Sequence, residues 1–148
     1  MLIREIKHSD LDRWSKMRSA LWPNTEDAHV NEIKDYFEGR SIDIDQVYVA
    51  TVNDNAVGFI ELNIREFAEG SRRPRVPYVE AWYVEPEYRG MNCGRLLMRK
   101  AESWALGQGY SELASDTEID NRQSIAIHAR LGFEETERIV CFLKKLRS

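Results

Sequence analysis

Between Val79 and Leu97 the chain reads VEAWYVEPEYRGMNCGRLL, and no other stretch limits the fold so tightly. Val79 to Val84 is β-prone. Pro86-Glu87-Tyr88-Arg89-Gly90 breaks the strand, and from Gly94 to Leu106 the residues Leu96, Leu97, Ala101 and Trp104 mark the buried side of a helix. A strand that feeds a helix through a Gly- and Arg-containing loop aims several backbone N–H groups, with the helix dipole behind them, at one spot. That spot suits a pyrophosphate, and Arg89 and Arg95 add charge to it. Neither GxxxxGKS/T nor GxGxxG is present, so nucleoside triphosphates and nicotinamide cofactors are poorly supported. On this pattern alone, an ordinary connection with a glycine turn explains the segment equally well.

The remaining chain sets the context. Leu2 to Ile6 alternates as a short strand. Ser9, with acids after it, opens a helix carrying Leu11, Trp14, Met17 and Leu21, which Pro23-Asn24 ends. Thr25 caps a second helix, in which Val30, Ile33 and Phe37 share a face and Gly39 stops the run. Gln46 to Val52 and Ala56 to Arg65 read as strands joined by a hairpin turn at Asn53-Asp54-Asn55. Glu66 to Pro77 is a polar loop, Leu113 to Ser115 a short strand, Ser124 to Leu131 a helix, and Val140 to Leu146 a last strand. The order β-α-α-β-β-β-α-β-α-β predicts one α/β (α+β) domain over residues 1–148, three layers deep, with helices flanking a mixed sheet.

Composition narrows the function. A net charge of −4 does not favour nucleic acid or an anionic membrane, and it is compatible with a polycationic ligand. No apolar run approaches the ~20 residues of a membrane span, and the N-terminus lacks the apolar stretch of a signal peptide. The expected compartment is the cytoplasm. Cys93 and Cys141 form no CxxC pair, and His8, His29 and His128 lie far apart, so no metal is expected.

Arg89-Gly90-Met91-Asn92-Cys93-Gly94 resembles the Q/R-x-x-G-x-G/A loop of the GNAT N-acetyltransferases. In that family the loop binds the pyrophosphate of acetyl-CoA through backbone amides. Asn92 stands where a glycine is usual, and Asn is a residue that tolerates left-handed geometry. Asn121 through Phe133 is similar to the family's later motif, in which an Asn opens a helix ending in Gly-Phe and contacts the pantetheine arm. His128 stands where a proton-donating Tyr is common in the family. The resemblance covers nearly the whole chain. It implies acetyl-CoA as co-substrate, a cofactor site comprising Trp82, Val84, Arg89 to Arg95 and Asn121, and homodimers paired through C-terminal strands.

Leu21-Trp22-Pro23, Tyr78 to Val84, Glu112 to Thr117, and Leu131 to Arg138 together resemble the aminoglycoside 6'-N-acetyltransferases. That resemblance implies an acceptor site of Trp22, Glu80, Asp116 and Glu137. Sugars carrying several ammonium groups need separated carboxylates and a flat apolar surface. Each residue also has a plain alternative: Glu80 on a solvent face, Asp116 capping a turn, Glu137 in a solvated acidic run, and Trp22 in the core. The expected chemistry is direct attack of a neutral amine on the thioester. Glu80, desolvated by Trp82 and Tyr83, is the candidate base, acting through water. The N–H of Val84, of the same strand parity, is the candidate oxyanion donor, and His128 the candidate acid. Cys93 at a helix N-terminus offers the rival route of an acetyl-cysteine intermediate. Acetylation of another amine, or acetyl-CoA binding without turnover, are the alternative functions.

Overall fold

A computed structural model describes residues 1–23 and 26–147. The strands β1 (Leu2–Glu5), β2 (Gln46–Val52), β3 (Asn55–Arg65) and β4 (Val76–Val84) form a sheet in that order, with every neighbour antiparallel. The helices are α1 (Leu11–Leu21), α2 (Glu26–Phe37), α3 (Cys93–Gly107) and α4 (Arg122–Arg130). The β2–β3 hairpin turns at Asn53 and Asp54, whose φ values of 51° and 64° are those a two-residue turn demands.

The sheet separates two apolar layers. Trp14, Met17 and Ile33 of α1 and α2 pack with Val47, Val49, Phe59, Ala81 and Tyr83 on one face. Leu97, Met98, Ala101 and Trp104 of α3 pack with Ala50, Val57, Ile60, Leu62 and Val79 on the other. The start of α3 lies close against β3 because Gly58 has no side chain there. A Cβ on Gly58 would sit 3.0 Å from the Tyr83 carbonyl oxygen and 3.2 Å from Cys93 Sγ.

Several expectations need correction. The helix start expected at Ser9 is a 3-10 turn, His8–Asp10. There the Asp10 carboxylate, not the Ser9 hydroxyl, accepts the Lys7 N–H at 2.8 Å and pairs with Arg4 at 2.7 Å. The Thr25 cap lies outside the described residues. Strand β4 begins inside the expected polar loop, at Val76. The mixed character of the sheet reduces to one parallel bridge, Tyr78 to Ala114, in place of a strand at 113–115. Residues 140–146 form no strand among the described residues. A strand needs a neighbouring backbone to bond with, and this segment lies exposed.

Register in β4 carries the main consequence for function. Ala81 pairs with Glu61 and Val79 with Leu62, which leaves Glu80 as the extra residue of a β-bulge. Glu61, on the β3 side of it, is buried and accepts a hydrogen bond from Trp14 Nε1 at 2.9 Å. Arg18 Nε lies 3.4 Å away. Burial outweighs both and pushes the Glu61 carboxyl up to about 7. The unfolded chain releases this proton near the ordinary 4.5, so Glu61's contribution to stability is fully present below that pH and is lost as pH rises to about 7. We predict that Glu61→Gln removes this fall when thermal unfolding is followed across that window. An unchanged pH dependence would contradict it.

Candidate functional site

The expected loop takes the predicted form. Gly90 has φ 82°, and Asn92, at the N-cap of α3, is left-handed with φ 67°. No side chain caps α3 there. The first-turn N–H groups therefore have neither an intrahelical partner nor a side-chain cap. They open on a cleft of about 1210 Å³ between β4, α3 and α4, lined by Trp82, Val84, Asn92, Gly94, Arg95 and Asn121 among others. Arg99 stands on its wall with Arg95. Trp82 donates its indole N–H to the Gly94 carbonyl at 3.1 Å, and Gly94 leaves room for the ring, since a Cβ there would lie 3.3 Å from it. Arg89 bends back, giving its Nε–H to the Val84 carbonyl at 2.8 Å. Met91 is exposed, and Asn121 accepts the Ser124 N–H at 3.1 Å to cap α4.

Cys93 departs from expectation. The helix N-terminus was to lower its pKa, yet the side chain is buried against the sheet and desolvation pushes the thiol up to about 11. Only its backbone can face the cleft.

His128 lies between the rings of Trp82 and Phe133, at centroid distances of 5.4 and 5.1 Å. Its Nδ1 bonds the Ser124 carbonyl oxygen at 2.8 Å. A carbonyl only accepts, so Nδ1 carries the hydrogen and Nε2 of the neutral ring accepts from the Ser115 hydroxyl at 2.8 Å. Asp116 follows, and a cavity of about 320 Å³ gathers Tyr78, Asp116, His128 and Glu137.

Glu80 has different neighbours from those expected. Trp82 packs on the α3 face of the sheet, whereas the Glu80 carboxylate meets the β3 side chains of the opposite face. Arg65 Nε donates to Glu80 Oε2 at 2.7 Å and Nη2 to Oε1 at 2.6 Å, with Asn63 Nδ2 at 3.4 Å. The Arg65 guanidinium lies 3.6 Å from the centre of the Tyr78 ring. Tyr78 donates its hydroxyl to Asp116 at 2.6 Å. A continuous polar chain thus joins Glu80 to Asp116.

The bulge also corrects the shared parity of Glu80 and Val84, because Val84 packs on the α3 face. Its backbone still suits the expected role. Glu85 gives its N–H to Val57 across β3, so Val84, its neighbour, turns its own N–H to the opposite edge of β4. Trp22 is half-buried, with the Arg18 guanidinium 5.0 Å from its ring centre and His29 beside it. The sequence reading missed Arg65, Tyr78, Arg18 and Glu61. A signal existed: Glu61, Asn63 and Arg65 are polar at alternate positions of an otherwise apolar strand.

The model of the acetyltransferase (GNAT) family matches residues 11–133. The chain belongs to that family. Among its relatives is the aminoglycoside N(6')-acetyltransferase type 1 of Klebsiella aerogenes, 38% identical over 147 residues that cover 98% of this chain and 97% of the relative. The protein of that name from Acinetobacter baumannii is 35% identical, covering 99% of each. The aminoglycoside antibiotic 6'-N-acetyltransferase AAC(6')-IG of Acinetobacter haemolyticus superposes with a TM-score of 0.89 at 32% identity, over 99% of this chain and 100% of that one. AAC(6')-Iy in complex with the bisubstrate analog CoA-S-monomethyl-acetylneamine superposes with a TM-score of 0.89 at 30% identity, over 97% of each chain. No helix among the described residues is long and apolar enough to cross a membrane.

The two thiols should differ in reactivity. With a limiting alkylating reagent at neutral pH, mass mapping should find the exposed Cys141 modified first and Cys93 only on unfolding. Equal labelling of the native protein would contradict the buried thiol.

Proposed function

We propose that this protein transfers the acetyl group of acetyl-CoA to the 6'-amine of aminoglycosides, by direct attack, and thereby confers resistance to them. The observation that carries this reading is the chain Glu80–Arg65–Tyr78–Asp116, which links two carboxylates through β4, the strand that also lines a cleft suited to a pyrophosphate with Trp82 and Val84. The full-length similarity to aminoglycoside 6'-N-acetyltransferases supports it.

Acetyl-CoA fits the cleft by size and charge. Its pyrophosphate lies at the N-terminus of α3 with Arg95 and Arg99 on the wall, and its pantetheine arm passes Asn121. The Val84 N–H receives the thioester oxygen as it becomes the oxyanion. The acceptor's ammonium groups meet Glu80, Asp116 and Glu137, with Trp22 as the flat wall. After losing its proton to water, the amine nitrogen bonds to the thioester carbon and the C–S bond breaks. The second proton, which the nitrogen sheds as the C–N bond forms, passes to His128 Nε2 and from there to the thiolate. The products are the acetamide and CoA. Since Arg65 already bonds both oxygens of Glu80, that carboxylate serves as the ammonium anchor and water carries the proton away.

The protein works as one catalytic domain in the cytoplasm and as a homodimer. The exposed run Ile139, Val140, Phe142 and Leu143, at 52–92% exposure, pairs with a second copy. Light scattering should give a dimer mass for the intact protein and a monomer mass for a Phe142→Asp, Leu143→Asp variant. A monomeric wild type would overturn the pairing.

CoA release should be fast with tobramycin, which has a 6'-amine, and slow with paromomycin, which has a 6'-hydroxyl. Release with only spermidine or a peptide would sink the aminoglycoside assignment and keep acetyl transfer. CoA binding without release on any amine would sink both.

A further inference from the structure

We propose that Arg65 is a positioning residue for the transfer: it clamps Glu80 in the orientation that receives the acceptor's ammonium and, through Tyr78, sets the place of Asp116. The inference rests on the reading of Glu80 as an acceptor residue given above.

Arg65 ends β3, fifteen residues before Glu80 in the chain, and the bulge delivers the Glu80 carboxylate to it. Exposed ion pairs contribute little as a rule. This pair differs in three respects. Both contacts are short, at 2.7 and 2.6 Å, and form a two-pronged fork. The Glu80 side chain is only 17% exposed. The far face of the guanidinium is spent on the Tyr78 ring, 3.6 Å from its centre. The bond to Glu80 in turn holds the guanidinium in its charged form.

The geometry also decides against displacement by substrate. An ammonium is a compact point charge that matches neither a planar fork nor ring stacking. Expelling Arg65 would also leave a half-buried cation without its partner, which is costly. Arg65 therefore stays. A carboxylate has about four lone-pair sites; Arg65 takes two and Asn63 approaches a third, which leaves one direction for an incoming ammonium. Selecting that direction is the role of Arg65. The Tyr78 hydroxyl, pointed at Asp116 by a ring that the guanidinium covers, extends the same constraint to the second carboxylate.

A double-mutant cycle tests this. Arg65→Ala should lower kcat/KM for tobramycin about 10²-fold, the scale of a small misplacement of a reacting group, while KM for acetyl-CoA stays constant. Arg65→Lys should recover only part of the loss, since it restores charge but not fork or stacking. Above all, the loss from Arg65→Ala should shrink in a Glu80→Gln background to the part Arg65 exerts on Asp116 through Tyr78, because its main action is through Glu80. Should Arg65→Ala fail to fold, Arg65→Lys completes the same cycle. Multiplicative losses, full activity in Arg65→Ala, or an equal rise in KM for acetyl-CoA would overturn the proposal. A wild type inactive on every amine would instead overturn the functional reading, and is distinguishable because no variant then differs from it.

Discussion

Glu80 is the additional residue of a bulge in β4, and the two sides of the sheet divide the site between them around it. Beyond the bulge, Trp82 and Val84 pack on the α3 face and line the cleft. At the bulge, the carboxylate meets Asn63 and Arg65 of the opposite face. A regular strand would keep alternate residues on one side throughout. One irregularity therefore lets one strand serve the cleft at the start of α3 and a set of carboxylates within a few residues.

The polar residues around the bulge stay ordered because almost every one has a partner. Glu61 has Trp14 and Arg18, Glu80 has Arg65, and Asp116 has Tyr78. Breaking one member exposes the next to an unmatched buried charge, which costs more than the pair itself contributes. Arg18 stacks on Trp22 as well as reaching Glu61, so the wall expected beside the acceptor is anchored to the same buried group.

The loop before α3 was legible in the sequence because its conformation is written in residue types. Gly90 and Asn92 occupy the positive-φ positions that their chemistry favours, and Asn53-Asp54 does the same in the hairpin. The bulge was not legible. No glycine or proline marks it, and strict alternation placed Glu80 and Val84 on one face. Nor was the partnership of Arg65 with Glu80, which depends on the β3–β4 register. Cys93 misled in the other direction: its place at a helix N-terminus was visible, but its burial against Gly58 was not. The strand expected at residues 140–146 has the right composition and no partner within the described chain.

The central claim is that Glu80 anchors the acceptor independently of the CoA cleft. Calorimetric titration of tobramycin into the CoA-saturated protein tests it without turnover. Loss of a charge-assisted contact of ~1.5–3 kcal/mol corresponds to roughly 10- to 150-fold in affinity. The account predicts a loss of that order for Glu80→Gln, with CoA affinity unchanged. Wild-type affinity for tobramycin in Glu80→Gln, or a parallel loss of CoA binding, would contradict it.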